Sequence, residues 1–140
     1  MPAVRLLDLL TRAQRLAWRE LAERFAEEGT GVEQWRVLRA LAGTDGTTMG
    51  HLAEQLQVPP ASLTRLVDGL VDDALVYRRP STTDRRRIVA HLSDRGAALL
   101  ERLEAIAAAH EAALTAGPRP ELAQLHTALG PAVAACARDR

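Results

Sequence analysis

The chain has 140 residues, of which 47% are apolar and 26% charged, and its 18 basic residues balance 18 acidic ones. We expect a soluble globular protein, since no run approaches the roughly 20 apolar residues that a membrane-spanning helix needs. The single cysteine, Cys136, excludes an internal disulfide and favours a reducing cytoplasm as the location.

The first part of the chain is predicted to be two helices. Apolar residues recur at spacings of three, four or seven within Val4–Glu28, and Gly29 follows as a stop signal. Thr30 with Glu33 has the pattern of a capping box at the start of the second helix. Gly43 ends that helix.

Two shorter helices follow, in the arrangement of a helix-turn-helix. Thr48 is placed to cap the first of them. Pro59 and Pro60 then break the chain, and Pro60 suits the first turn of a new helix. From there to Ala74, apolar residues form one narrow stripe at helical spacing, so this helix buries one face.

A hairpin and two long helices complete the chain. Leu75–Tyr77 and Ile88–Leu92 are strand-like, and the residues PSTTD between them are typical of a turn. Ser93 marks the start of a helix that ends near Ala116, and a last helix spans about Glu121–Ala137, with a disturbance expected at its Gly-Pro pair. This order predicts a mainly α fold with a small β-hairpin wing, a winged helix-turn-helix flanked by N- and C-terminal helices.

The hairpin concentrates positive charge. Between Leu75 and Arg95 six Arg face two Asp, a local charge of +4 in a neutral chain. A basic hairpin directly after a helix-turn-helix fits a phosphate backbone or a narrow groove of DNA. We therefore predict DNA contacts from the wing arginines, which are Arg78, Arg79, Arg85, Arg86 and Arg87.

The outward face of the fourth helix is the second part of the predicted DNA-binding surface. Ser62, Thr64 and Arg65 lie near its N-terminal half, where they can reach base edges and phosphates in a major groove. For this face alone, an ordinary solvated helix surface is the alternative. Asp68 would repel phosphates, so we expect it to pair with a wing arginine and orient it, with Asp84 completing the network. Such surface pairs contribute about 0–1 kcal/mol, so their value would be geometric.

The three consecutive arginines of the wing need not be equivalent. We expect one to be held by Asp68 or Asp84, one to be free for the groove, and Arg87 to have entered the second strand already. The sequence leaves open which of Arg85 and Arg86 enters the groove.

The stretch LTRLVDGLVDDALVYRR followed by DRRRIVAHLSDRG resembles the signature of the MarR (multiple antibiotic resistance regulator) family of winged-helix transcription factors. The resemblance extends over nearly the whole chain and is densest from Ser62 to Gly96. It implies an obligate homodimer on double-stranded DNA. Residues 1–28 and 93–140 would form the helical dimerisation region, and residues 30–92 the winged helix-turn-helix of the same structural domain.

The resemblance also implies roles for individual residues. The helix from Pro60 would be the recognition helix, and the wing would place Arg85 or Arg86 in a minor groove. Asp68, Asp84 and Arg86 match the family's recognition-helix and wing positions. The chain departs from the family in its N-cap (Pro59), in Gly69 for a longer side chain and in Ala74 for a frequent glycine, and these differences put the base preference in doubt, not the fold.

A small-molecule effector is the last implication of the resemblance. The family's pocket lies between the dimer helices and the DNA-binding lobe, and Trp18, Trp35, Met49 and His51 are the residues expected to line it. A small aromatic or phenolic acid would fit such a pocket. The alternatives are core packing for both tryptophans and a solvated or capping role for His51. Cys136 is expected near the dimer interface without a redox role.

No pattern in the chain indicates an enzyme. Its four His are scattered, and no metal-ligand, nucleophile-elbow or phosphate-loop motif occurs. We predict no catalytic residues, metal or cofactor. The prediction is a sequence-specific DNA-binding regulator, of the repressor type, that binds a palindromic promoter site as a homodimer and is released by a ligand. The alternative is a winged-helix module that binds protein without specific DNA binding.

Overall fold

The computed structural model describes residues 5–138, so the predicted helix start at Val4 and the outer limits of the predicted dimerisation region lie outside the described residues. In chain order its elements are α1 (Leu6–Phe25), α2 (Val32–Leu41), β1 (Thr47–Thr48), α3 (Met49–Leu56), α4 (Pro60–Asp72), β2 (Val76–Pro80), β3 (Ile88–Leu92), α5 (Asp94–Thr115) and α6 (Pro120–Arg138). A 3-10 turn, Ala26–Glu28, extends α1. The fold class is confirmed: the chain is mainly helical with a small antiparallel sheet.

The chain divides into two compact units, of which the first ends at Glu104 and the second begins at Ala105. The first unit holds an aliphatic core from α1 to α5, whose largest fully buried side chains are Phe25, Leu38, Leu41, Leu52, Leu63, Leu70 and Leu103. In the second unit, α6 has no buried residue among those described. No helix within residues 5–138 is both long and apolar enough to cross a membrane.

Local signals at α3 and α4 act as the sequence predicts. The hydroxyl oxygen of Thr48 accepts a hydrogen bond from the backbone N–H of His51 at 3.3 Å and so caps α3. Pro60 occupies the first turn of α4. Along α4, Leu63 and Val67 are buried at helical spacing.

The start of α2 differs from the prediction. Gly31, in extended conformation, is the residue before the helix, which begins at Val32. The third helical residue is therefore Gln34, whose Oε1 accepts hydrogen bonds from the Gly31 N–H and the Thr30 hydroxyl, both at 3.0 Å. The predicted capping box of Thr30 with Glu33 is wrong, because the helix begins one residue later than that pattern requires.

The three strands pair in the order β1-β3-β2, all antiparallel. In the β2–β3 ladder Tyr77 lies opposite His91, and Pro80 opposite Ile88. The first wing strand begins one residue later than predicted, because the Leu75 N–H donates to the Leu70 carbonyl at 2.9 Å and Leu75 therefore belongs to the end of α4. The strand also extends further than predicted, to Pro80. β2 consequently carries both of its arginines within the strand.

The chain enters and leaves the wing through one tightly packed junction. Ala74, which precedes it, has a left-handed φ of 58°. The Ser93 hydroxyl donates to the Ala74 carbonyl at 2.7 Å and accepts from the Gly96 N–H at 2.9 Å. A Cβ added at Gly96 would overlap the carbonyl oxygen of Leu75 and lie 2.8 Å from Leu92 Cδ1. Only glycine lets α5 start this close to the backbone before β2.

The last helix is longer than predicted. It begins at Pro120 and runs without interruption through Gly130 and Pro131, where the sequence predicts a disturbance. Its exposed apolar side chains, Leu125, Leu129 and Val133, recur every four residues and therefore share one helix face.

Candidate nucleic-acid interface

The outward face of α4 presents three of the predicted DNA-binding residues. Ser62, Thr64 and Arg65 are all exposed. The Thr64 hydroxyl donates to the Pro60 carbonyl at 2.9 Å, so its proton is used inside the helix while its methyl group and an oxygen lone pair face outward. Arg65 has no hydrogen bond or ion pair with the other residues of the described chain. Its guanidinium is available to an external acceptor.

An ion pair joins α4 to the wing. The Arg78 guanidinium donates to the Asp68 carboxylate. Arg78 shares one face of the hairpin with Val76 and with Ala90, its partner across the ladder, and both of these are buried. We call this the inner face of the wing. The strand register therefore turns Arg78 toward α4, and its charge is balanced there.

Asp84 organises the wing tip. Its Oδ1 accepts the backbone N–H of Arg86 at 3.0 Å, and its backbone carbonyl accepts the N–H of Arg87 at 3.0 Å. Its Oδ2 lies 3.8 Å from Arg87 Nε. The Ser81 N–H donates to the Arg87 carbonyl at 2.8 Å and closes the turn. The backbone of the tip is thus held by the Asp84 carboxylate together with backbone hydrogen bonds and the Ser81 hydroxyl, which accepts the N–H groups of Thr83 and Asp84.

The surroundings of the three consecutive arginines differ from the expectation. Arg87 lies in the turn, because β3 begins at Ile88, and it is the arginine that pairs with Asp84. The expectation that Arg87 had entered the strand is therefore wrong. Arg85 and Arg86 are both exposed, and neither guanidinium has a partner among residues 5–138. Which of the two enters a groove stays a prediction.

The other face of the hairpin, here called the outer face, carries Tyr77, Arg79, Val89 and His91. The Arg79 guanidinium carbon lies 5.0 Å from the centroid of the Tyr77 ring. Arg79 pairs with no carboxylate in the described part of the chain. Beside Arg65 and the two tip arginines, it is a fourth uncompensated positive charge on or near the wing, an arrangement suited to a polyanion.

The four residues predicted to line one ligand pocket are not brought together. Trp18 lines an open cleft of about 700 Å³ between α1, the start of α2 and α4. Met49 and His51 line another, of about 590 Å³, between the first turn of α3 and the wing residue Arg87. Trp35 lines neither, because α2 turns its ring against Phe25 with centroids 5.5 Å apart.

Trp35 has a structural environment instead. Its Nε1 donates to Glu104 Oε1 at 2.7 Å, and Arg39 lies over its ring with Nε 3.6 Å from the same carboxylate oxygen. The core-packing alternative for Trp35 therefore describes its contacts. Trp18 lines one of the two clefts and Met49 with His51 the other, and a ligand role for these residues stays a prediction.

Sequence reasoning missed several residues of these surfaces. Gln14, Arg15, Arg19 and Ala22 line the cleft around Trp18, and the spacing of three or four residues between Trp18 and Gln14, Arg15 or Ala22 was the available signal. Tyr77 was treated as a strand residue only, although strand alternation places it on the same face as Arg79.

Comparison with known proteins gives matches to transcriptional regulators in sequence. The model of the MarR family matches residues 28–87. An uncharacterized HTH-type transcriptional regulator of Mycobacterium leprae is 34% identical over 94 residues, which make up 67% of this chain and 65% of that protein. The chain spans less than two thirds of the length of the first curated relatives that it matches.

Solved structures extend the likeness to most of the chain. The transcriptional repressor CouR bound to a 23-mer DNA duplex has a TM-score of 0.82 at 27% identity, covering 92% of both chains. A mutant MarR from E. coli complexed with operator DNA has a TM-score of 0.78 at 26% identity, covering 91% of this chain and 92% of that one. The proteins matched are regulators rather than enzymes, as predicted. With its winged helix-turn-helix, its arginine-rich wing and these matches, the chain belongs to the MarR family.

Proposed function

We propose that this chain is a sequence-specific DNA-binding transcriptional regulator that acts in the cytoplasm as a homodimer and represses a promoter by occupying a palindromic site. The observation that carries the proposal is the pairing of two unneutralised surfaces, Arg65 on α4 and the tip arginines on the wing, joined by the Arg78–Asp68 ion pair. Its structural neighbours include complexes with DNA, and one of these is named a transcriptional repressor.

In this proposal the two surfaces read DNA differently. The outward face of α4 enters a major groove, where Arg65 donates two hydrogen bonds to a guanine. The wing tip approaches the adjacent minor groove with Arg85 and Arg86, which respond to its width and negative potential. Asp68 and Asp84 orient the wing through Arg78 and the tip backbone. Base preference therefore comes from α4, and most of the affinity from the wing.

A mobility-shift titration tests this division of labour. The probe is a duplex from the region upstream of the chain's own gene, compared with a shuffled duplex over a salt series. Arg65→Ala is expected to cost about 1–3 kcal/mol on the specific duplex and little on the shuffled one. Arg85→Ala with Arg86→Ala is expected to weaken binding to both duplexes and to flatten the salt dependence.

Arg39→Gln, which changes an exposed arginine of α2 outside both DNA surfaces and the dimerisation region, is the matched control and should change neither affinity nor salt dependence. Salt-independent binding, or no binding at low salt, would contradict the proposal and favour a winged helix that binds protein. An equal loss on both duplexes for Arg65→Ala would remove its assigned role in base preference.

The homodimer is supported by an uncovered apolar stripe on α1. Leu6, Leu9, Leu10 and Leu16 lie on one side of the helix and are 36–69% exposed, while Asp8, Arg12, Arg15 and Arg19 lie on the other. A contiguous apolar surface of this kind on a single chain marks an interaction site. We assign its cover to a second copy, with residues 1–28 and 93–140 as the dimerisation region. Two-fold symmetry then requires half-sites about 10 base pairs apart.

The mass of the protein in solution tests the assignment. Light scattering should give twice the chain mass for the native protein and for Arg12→Gln, which changes the polar side of α1. Leu6→Gln with Leu10→Gln should shift the mass toward one chain and abolish specific DNA binding. A dimer that survives the leucine changes would show that α1 is not its interface.

The Trp18 cleft supports release by a ligand. Its apolar lining includes Trp18, Val32 and Leu66, with Arg15 and Arg19 among its other residues. An aromatic ring with a carboxylate suits such a lining. Leu66 belongs to α4, so a ligand in the cleft would contact the recognition helix directly and favour one position of that helix over another.

Tryptophan fluorescence isolates this site. In a Trp35→Phe background, Trp18 is the remaining tryptophan, and titration with benzoate should change its emission and reduce DNA affinity in parallel. Arg15→Gln with Arg19→Gln should weaken both effects together. Quenching without any change in DNA affinity would separate the cleft from regulation.

A further inference from the structure

Two neighbouring arginines of β2 have opposite surroundings. Arg78, on the inner face of the wing, is balanced by Asp68. Arg79, on the outer face, is exposed and has no acidic partner within residues 5–138, and its guanidinium lies over the exposed ring of Tyr77. An arginine side chain in water ordinarily samples many rotamers, so stacking on a fixed ring restricts where its charge lies.

The ring that holds Arg79 is itself fixed. Tyr77 stacks on the His91 imidazole, its partner across the strands, with centroids 5.0 Å apart and planes 9° from parallel. The imidazole in turn fills space left by Gly46, where an added Cβ would lie 2.7 Å from His91 Nδ1. Gly46 has a φ of 103°, a conformation that favours glycine. Backbone, imidazole, phenol ring and guanidinium thus form one continuous stack.

We propose that Tyr77, backed by His91, is a positioning residue that holds the Arg79 guanidinium ready for a DNA phosphate on the side of the wing away from α4. The proposal rests on the proposed function, because it requires a wing that enters a groove. A minor groove is about 6 Å wide, so a hairpin inserted in it has a sugar–phosphate backbone on each side. The inner face meets the backbone next to α4, and the outer face meets the opposite one.

The contact has a defined chemistry. The Arg79 guanidinium, whose central carbon lies 5.0 Å from the Tyr77 ring centroid, uses no N–H group on a carboxylate of the described chain, so these groups can donate to two phosphate oxygens. The ordering of the side chain takes place on folding, so binding does not have to restrict it. Arg79 would then hold the wing from the side that neither α4 nor the tip arginines reach.

A double-mutant cycle tests the positioning role, with binding to the upstream duplex measured by fluorescence anisotropy over a salt series. Arg79→Gln should weaken binding about tenfold and reduce the slope of log K against log salt by about 0.9, the loss of one phosphate contact. Tyr77→Leu should weaken binding about threefold in the native background and not at all in the Arg79→Gln background. Tyr77→Phe, which keeps the ring, should bind like the native protein.

The controls separate positioning from folding. Each variant is checked for an unchanged circular dichroism spectrum and unfolding midpoint, and Arg39→Gln, at an exposed arginine outside the proposed binding surfaces, should leave the salt slope unchanged. A Tyr77→Leu loss of equal size in both Arg79 backgrounds would overturn the proposal, since it would indicate general damage to the wing. So would an Arg79→Gln variant with native affinity and slope. If the native protein itself shows no salt-dependent binding, the proposed function fails instead.

Discussion

The winged-helix region and the last helix differ in what becomes of their apolar side chains. From α2 to β3 they are buried within the same unit, and Leu38, Leu52 and Leu63 are at most 1% exposed. Along α6, Leu125 and Leu129 are more than one third exposed, although they form a regular stripe. The first region therefore derives its stability from its own chain, whereas the stripe on α6 is suited to a partner. An identical substitution should have different consequences in the two regions.

Leucine truncation should show the largest difference. Leu38→Ala is expected to lower the free energy of unfolding by about 2–5 kcal/mol, because it leaves a cavity at a fully buried site. Leu129→Ala, measured in protein dilute enough to be monomeric, should change that free energy by less than about 0.5 kcal/mol. Urea denaturation followed by circular dichroism measures both. Equal losses would show that α6 buries this side chain against its own chain.

Replacing glycine by alanine should change the free energy of unfolding less than leucine truncation does, and the change should have opposite signs at the start of α5 and in α6. Gly96→Ala forces a methyl group onto the Leu75 carbonyl and is expected to cost about 1–3 kcal/mol. Gly130→Ala, in α6 with no atom within 4 Å of the added Cβ, should stabilise its helix by about 0.5–1 kcal/mol. Thermal unfolding compares the pair. A neutral Gly96→Ala would mean that the start of α5 can move away from the wing.

The smallest expected change in unfolding free energy comes from Ala74, the residue between α4 and the wing. Ala74 holds a left-handed φ of 58°, which costs a residue with a Cβ about 1 kcal/mol. Ala74→Gly should therefore raise the unfolding free energy by up to about 1 kcal/mol. Ala97→Gly, the same substitution at an exposed position of α5, should lower it by a similar amount. If both substitutions lowered the unfolding free energy, the greater conformational entropy of glycine in the unfolded chain would outweigh the relief of strain at Ala74.

Signals that depend on neighbouring residues could be recognised in the sequence. The apolar stripe of α4, the proline at its start and the Thr48 cap all act within one or two helical turns, and the structure has each of them. The strand-like run of residues after the wing tip likewise placed β3 at Ile88–Leu92. The charge of the hairpin was also visible, because arginine side chains keep their charge in any conformation.

Contacts that depend on register or on distant elements could not be recognised in the same way. The sequence predicted that Asp68 pairs with a wing arginine, and the structure confirms the pairing but selects Arg78, because β2 begins at Val76 and a shift of one residue would have turned that arginine to the outer face. The Asp84 carboxylate pairs with the guanidinium of Arg87, because backbone hydrogen bonds from the Arg87 N–H to the Asp84 carbonyl and from the Ser81 N–H to the Arg87 carbonyl close the turn. Trp18 and His51 line different clefts, because Trp18 lies on α1 near Leu66 of α4, whereas His51 lies on α3 near Arg87 of the wing.

The junction at Ser93 determines how movement can pass through the first unit. One hydroxyl bonds both the residue that ends the α4 turn and the first turn of α5, and Gly96 leaves no gap between α5 and the backbone that leads into β2. A rotation of the first turn of α5 should therefore displace the root of the wing through these direct contacts, although a cavity of about 280 Å³ lined by Leu75, Arg95 and Leu99 lies beside the junction. We therefore expect the first turn of α5 and the root of the wing to move together, joined by the contacts of Ser93 and Gly96.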